Sequence, residues 1–199
     1  VVLVASDSDH VVEHHIQAVL KELASRGDVD PEVMENTARR VAKSYRELYC
    51  GYGQDPKEIL SRTFISDASE MVCVLHIPVF STCEHHMLPF VGKAHVAYIP
   101  EGKIVGISKI PRLIECFARR LQLQERLTDD VADALMEHVN PKGVGVVIAA
   151  EHLCMTTRGV SKPGTKTVTS AMRGLFREDS KTRNEFFELI KLGSGHGRD

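Results

Sequence analysis

No run in the 199-residue chain approaches the ~20 consecutive apolar residues that a membrane span needs. The apolar opening Val-Val-Leu-Val-Ala-Ser gives way at once to Asp-Ser-Asp-His, without a basic leader or a small-residue cleavage pattern. The reading is a soluble, cytoplasmic protein. An initiator Met is also missing, which predicts that an upstream segment has been removed. Excess charge of either sign is absent: 25 Lys+Arg against 27 Asp+Glu leave a net charge of −2, so no general field draws nucleic acid or an anionic membrane. Any phosphate chemistry has to rest on local cations. Five cysteines, odd in number and widely spaced, do not suit a disulfide framework, and they favour a reducing compartment. Repeats and low-complexity blocks are lacking as well. A hydrophobic content of 43% suits one core, or a compact domain with a helical extension.

What is present divides by periodicity. Val12, Ile16, Val19, Leu20 and Leu23 recur at helical spacing, and Gly27 ends that run. Asp30 with Pro31 announces a second helix whose buried side continues through Val41, Ala42, Tyr45 and Leu48. From about Arg62 the texture turns to strands: Glu70–Phe80 is rich in β-branched residues, and Lys93, His95 and Ala97 alternate with Ala94, Val96 and Tyr98 as in a half-buried strand. A short strand at 103–108 and a helix capped by Ser108 follow, then a helix starting at Thr128, a strongly apolar strand at 144–155 and another at 165–170. Thr182 and Glu185 form a capping box for a last helix, and the Gly-rich tail is expected to be disordered. The organisation is a helical segment over 1–60, an α+β domain with a mainly antiparallel sheet over 61–193, and a tail over 194–199.

Cys83, Glu84, His85 and His86 follow a predicted strand and sit on a loop at a sheet edge. His152 and Cys154, two apart on a predicted strand, point to one face. Two thiols and three imidazoles are a ligand set for zinc. A structural site closes the tetrahedron with four of them, for instance Cys83, His86, His152 and Cys154; a catalytic site keeps three and leaves one position to water. The tight His-x-Cys spacing favours the second arrangement, with Cys83, His86 and Cys154 as ligands and His85 and His152 beside them as proton carriers. Cys73 and Cys116 read as small core residues and Cys50 as a helix-end residue. Ser108, Lys109 and Arg112 occupy the start of a helix, where free N–H groups and the dipole favour an anion. Arg40, Lys43 and Arg158 can complete a phosphate site, though Arg39, Arg119 and Arg120 qualify equally on charge alone. Between helices, Gln124 and Glu125 offer a carboxylate for two guanine N–H groups and an amide for its carbonyl.

These stretches closely resemble the GTP cyclohydrolase I family: Ser81–Pro100, Gly106–Leu113, Arg120–Thr128, Glu151–Val160, Lys166–Ser170 and Gly174–Ile190, covering about residues 70 to 190. The earlier part matches more loosely through Val33–Tyr45 and departs at Thr37-Ala38, where the family usually has Thr-Pro; His76 stands where it often has an acidic or other polar residue. The resemblance implies conversion of GTP and water to 7,8-dihydroneopterin triphosphate and formate. It implies zinc on Cys83, His86 and Cys154, with His85 and His152 moving protons. Gln124 and Glu125 would hold guanine, with Ile107 and Leu123 near the base, while Ser108, Lys109, Arg112, Arg158, Arg40 and Lys43 would hold ribose and triphosphate. The implied architecture is the tunnelling fold, an antiparallel four-stranded sheet with two helices on one side. Five subunits would close a barrel and two pentamers a decamer, with sites between subunits. No residue singles out a regulatory protein as partner. Rival readings are a pterin synthase or deazaguanine reductase on the same fold, or a zinc-stabilised binding protein without catalysis.

Overall fold

The computed structural model describes residues 7–194, with side-chain environments from residue 9 to 193. The sequence's opening hexapeptide and residues 195–199 of the expected tail lie outside that range; Ser194, also assigned to the tail, lies within the last helix. The chain divides into two compact units, 1–50 and 51–199.

The first unit is a helix pair, α1 (Asp7–Ala24) and α2 (Pro31–Leu48). Asp30 caps α2 by accepting from the Glu32 amide at 2.8 Å, with Pro31 at the first helical position, as the sequence predicts. Ala38 and Ala42 form its buried stripe, and Arg46 of α2 pairs with Asp9 of α1. Val19 and Leu23, expected to face inward, are each 53% exposed.

The second unit contains α3 (Pro56–Leu60), β1 (Thr63–Ile65), β2 (Val72–Cys83), β3 (Pro89–Ile99), β4 (Lys103–Val105), α4 (Lys109–Ala118), β5 (Leu121–Gln122), α5 (Gln124–Val139), β6 (Gly143–His152), α6 (Leu153–Thr156), β7 (Lys166–Gly174), α7 (Leu175–Glu178) and α8 (Ser180–Ser194). Strands β1 and β4 form a separate antiparallel pair. The main sheet has the order β5-β2-β3-β6-β7, with β2, β3, β6 and β7 antiparallel and the two-residue β5 added parallel to β2. One face packs on α4 and α5: Ile110, Leu113, Ile114, Leu127, Val131 and Leu135 join Val79, Phe90, Val96, Tyr98, Val146 and Ile148 in one apolar cluster. Ile59 and Leu60 of α3 pack there too. This is the expected four-stranded antiparallel sheet with two helices on one side, extended by one short strand.

The other face is not left to water. Ala97, Ile99 and Val147 pack there with Phe176 of α7 and Phe186 of α8. That cover buries β3 on both faces from Ala94 onward, where the alternation predicts a half-buried strand. In β2, Leu75 and His76 together oppose His95, a bulge that places His76 at a φ of 56°. Among the described residues no helix is long and apolar enough to cross a membrane.

Three local expectations change. Helix α5 starts at Gln124, four residues before the predicted start, because Leu127 and Thr128 are already buried and the Thr128 hydroxyl bonds back to the Gln124 carbonyl at 2.7 Å instead of capping. The cap of α8 is Asp179, which accepts from the amides of Lys181 and Thr182 and from the Thr182 hydroxyl, so Thr182 is inside the first turn. Strand β6 stops at His152, and Cys154 lies in the helical turn α6, not on the strand.

Candidate active site

The site forms where β2 and β6 end. Cys83 is the last residue of β2, and its carbonyl accepts from the amides of His86 and Met87, closing the turn that carries His85 and His86. β2 lies between β3 and β5, so this turn is interior to the sheet order and not at its edge. Glu84 in that turn makes a two-pronged ion pair with Arg126 of α5 at 2.7 and 3.0 Å, and that pairing holds its carboxyl below the usual range. Sequence reasoning missed this anchor, since no local pattern connects the two residues. β6 runs antiparallel to β3 and pairs His152 with Phe90, delivering His152 and then Cys154 opposite the turn.

A cavity of about 230 Å³ is lined by Cys83, His85, His86, Leu123, Glu125 and Cys154, with His152, Gln122, Gln124, Met155 and Thr167 completing it. The sequence pointed to eight of these residues; Gln122, Met155 and Thr167 it did not. Thr167 has a legible signal, the alternation of Thr167 and Thr169 on one face of β7. Ile107, Ser108, Lys109, Arg112 and Arg158 line no part of this cavity. Arg40 and Lys43 are exposed on α2 in the other unit, Arg40 paired with Glu32.

One ligand atom each from Cys83, His152 and Cys154 lies within 4.8 Å of the others. Two sulfurs on one tetrahedral zinc sit roughly 3.8 Å apart, given Zn–S bonds of about 2.3 Å, so the donor set fits that ion. The histidine of this trio is His152; His86, three residues after Cys83, is exposed on the turn within the same cavity and lies outside the trio. Burial, with the Cys83 sulfur alongside, pushes the Cys154 thiol up, the direction that a bound cation would reverse.

His152 is the most constrained of the imidazoles. Its ring stacks on Phe90 at 4.6 Å and 10°, and its Nε2 lies 2.9 Å from Gln124 Oε1. Burial lowers its pKa, and the Glu125 carboxylate opposes that shift. Gln124 is 1% exposed, and its amide nitrogen bonds the Ile148 and Thr167 carbonyls and the Thr169 hydroxyl. Both ends of that amide are engaged by the protein, so its side chain has no free donor for a base carbonyl.

The start of α4 also differs from its sequence reading. Ser108 makes no side-chain cap bond; the amides of Lys109 and Ile110 are tied to the Gly106 and Ile107 carbonyls, and Pro111 has none. An anion there meets side chains, not a ring of free N–H groups.

An antiparallel sheet backed by two helices, with thiols, imidazoles and a carboxylate around one cavity, agrees with the tunnelling fold that the sequence resemblance implies. The sequence model for GTP cyclohydrolase I matches residues 12–191. The chain is 53% identical over 180 residues to GTP cyclohydrolase 1 of Carboxydothermus hydrogenoformans, covering 90% of this chain and 93% of that one. It is 55% identical to the protein of the same name from Halalkalibacterium halodurans (88% and 94% covered) and 58% identical to that of Campylobacter lari (80% and 84% covered). The chain belongs to the GTP cyclohydrolase I family.

Proposed function

We propose that this chain opens the imidazole ring of GTP by hydrolysis, giving 7,8-dihydroneopterin triphosphate and formate, with zinc as its resident metal. The observation that carries the reading is the gathering of two thiols and an imidazole within 4.8 Å in the cavity that Glu125 also lines. Cys83, His86 and Cys154 would hold the ion, which would supply the Lewis acidity that makes water nucleophilic near neutral pH. Glu125 accepts the two N–H groups on one edge of guanine and orients C8. His152 passes a proton to guanine N7, which turns C8 into an electrophile; burial lowers the pKa of its ring and Glu125 opposes that shift. His85, exposed on the turn, assists the later proton transfers. Leu123 and Ile107 flank the base, and Ser108, Lys109, Arg112, Arg158, Arg40 and Lys43 bind ribose and triphosphate. The cavity includes none of these last six and not Ile107, which agrees with sites completed by neighbouring subunits in a decamer of two pentamers. Free thiols suit a reducing, cytoplasmic compartment.

His152 in place of His86 as third ligand is the second reading, favoured by the trio itself. Metal content separates the two. Purified wild type should carry one zinc per chain, and the oxidised product should fluoresce after incubation with GTP. His86→Ala should lose zinc and activity together, whereas His152→Ala should keep zinc and lose activity. Zinc loss in His152→Ala alone would move His152 into the coordination shell. Absence of pterin fluorescence from zinc-replete wild type would remove the GTP assignment.

A further inference from the structure

The Gln124 side chain lies inside a hydrogen-bond network whose direction can be worked out atom by atom. Its amide nitrogen is 3.0 Å from each of two main-chain carbonyls, Ile148 and Thr167, which accept and never donate. Turning the amide over would set its oxygen against both carbonyls in a place with 1% exposure. The hydroxyls agree with the orientation. Thr128 Oγ1 spends its proton on the Gln124 carbonyl at 2.7 Å, so Thr169 Oγ1, 2.7 Å away, is the donor between the two threonines. Thr169 then keeps a lone pair for the Gln124 amide at 3.2 Å. Gln124 Oε1 is therefore an acceptor, and it faces His152 Nε2 at 2.9 Å. Phe90 is stacked flat on the imidazole, and a half-turn of the ring would set Cε1 in place of Nε2 against Gln124 Oε1, which loses the bond.

We infer that Gln124 is a positioning residue: it holds His152 as the Nε2–H tautomer, leaving Nδ1 as the ring's one basic nitrogen. The tautomer follows from the hydrogen bonds alone. Its consequence rests on the function proposed above: the proton His152 gives to the base leaves from Nδ1, and Nδ1 is also the only atom by which His152 could ligate an ion. This replaces base reading as the work of the Gln124 side chain. A hydrogen-bond acceptor on a ring N–H that selects the tautomer is a known device around histidines at metal centres, where its loss costs 10–100-fold in affinity or activity. Thr128 and Thr169 belong to the same device, one bond further out.

The test is magic-angle-spinning NMR of zinc-loaded, 15N-histidine-labelled protein at a pH where His152 is neutral, with His152→Gln assigning the signals. The inference expects a pyrrole-type Nε2 and a pyridine-type Nδ1; the opposite assignment overturns it. Steady-state kinetics add a second readout. Gln124→Leu should lower kcat for GTP about 10–100-fold while KM stays within about threefold. A raised KM with kcat retained would mean that the amide reads the base, and would also overturn the inference. Should Gln124→Leu fail to fold, the wild-type spectrum still decides. Inactivity of the wild type toward GTP would remove the proposed reaction but leave the tautomer to be judged by the same spectrum.

Discussion

His95 shows how much one side chain's surroundings decide. It is 7% exposed on β3, its Nδ1 accepts from the His76 amide at 3.4 Å, and its ring meets that of His76 edge-on at 4.8 Å. Burial lowers its pKa, and His76 and Lys93 push in the same direction. A histidine held below its unfolded value leaves the unfolded chain binding more protons as pH falls, so its contribution is present above about pH 6.5 and is lost as pH drops through the folded value. Charging it also costs the bond from His76. The denaturant midpoint is therefore expected to fall between pH 7.5 and pH 5.5, and His95→Asn should flatten that dependence. A pH-independent midpoint in the wild type would contradict this account. At the candidate site the same scale separates what composition could show from what it could not. Cys83, His85, His86, Glu125, His152 and Cys154 were legible as residue types with metal-binding or proton-transfer chemistry. The engagement of Gln124, by contrast, depends on carbonyls of β6 and β7 that leave no mark in the residues contributing them.

Among the elements, the type of the longer strands and helices was legible because hydrophobic periodicity reports the local backbone. Element ends were less so. Thr128 and Thr182 look like caps by type, but in each case a neighbouring group takes the hydroxyl proton, Gln124 O for one and Asp179 for the other. β3 read as half-buried because its alternation is real, and only the docking of α7 and α8 covers its second face. That docking makes a prediction. A Cβ on Gly145 of β6 would lie 2.7 Å from Phe176 Cδ1 and 2.9 Å from Phe186 Cδ1. Gly145→Ala should cost about 1–3 kcal/mol by overpacking. Thermal unfolding should register a loss of about 2–4 °C per kcal/mol for a chain of this size. Gly53→Ala, whose Cβ meets nothing within 4 Å, is the control and should unfold near the wild-type temperature. Equal melting points for the two variants would mean that the phenylalanines move aside freely.

For the molecule as a whole, the metal is expected to couple activity to stability. A ligand that binds only the folded state stabilises it by about 2.7 kcal/mol at a hundredfold excess over its Kd. Chelator treatment of the purified protein should therefore lower the melting temperature and remove at least about 99% of GTP turnover, with both restored by zinc. Recovery of activity without metal would refute zinc dependence. Assembly is read by light scattering, where ten copies of the 22.1 kDa chain would give a mass near 220 kDa and a smaller mass would contradict the proposed decamer.

The sequence by itself determined the class of fold, the near balance of charge and the cast of metal-binding and proton-transfer residue types. Those follow from periodicity, net charge and side-chain chemistry, which are local or additive properties of the chain. Tertiary structure alone decided that His152 gathers with the two sulfurs within 4.8 Å, that Glu84 is clamped by Arg126, and that Gln124 faces inward to a histidine. Each of these is a distance between atoms on different elements, and such distances are set by strand register and helix packing, which no short window of residues contains.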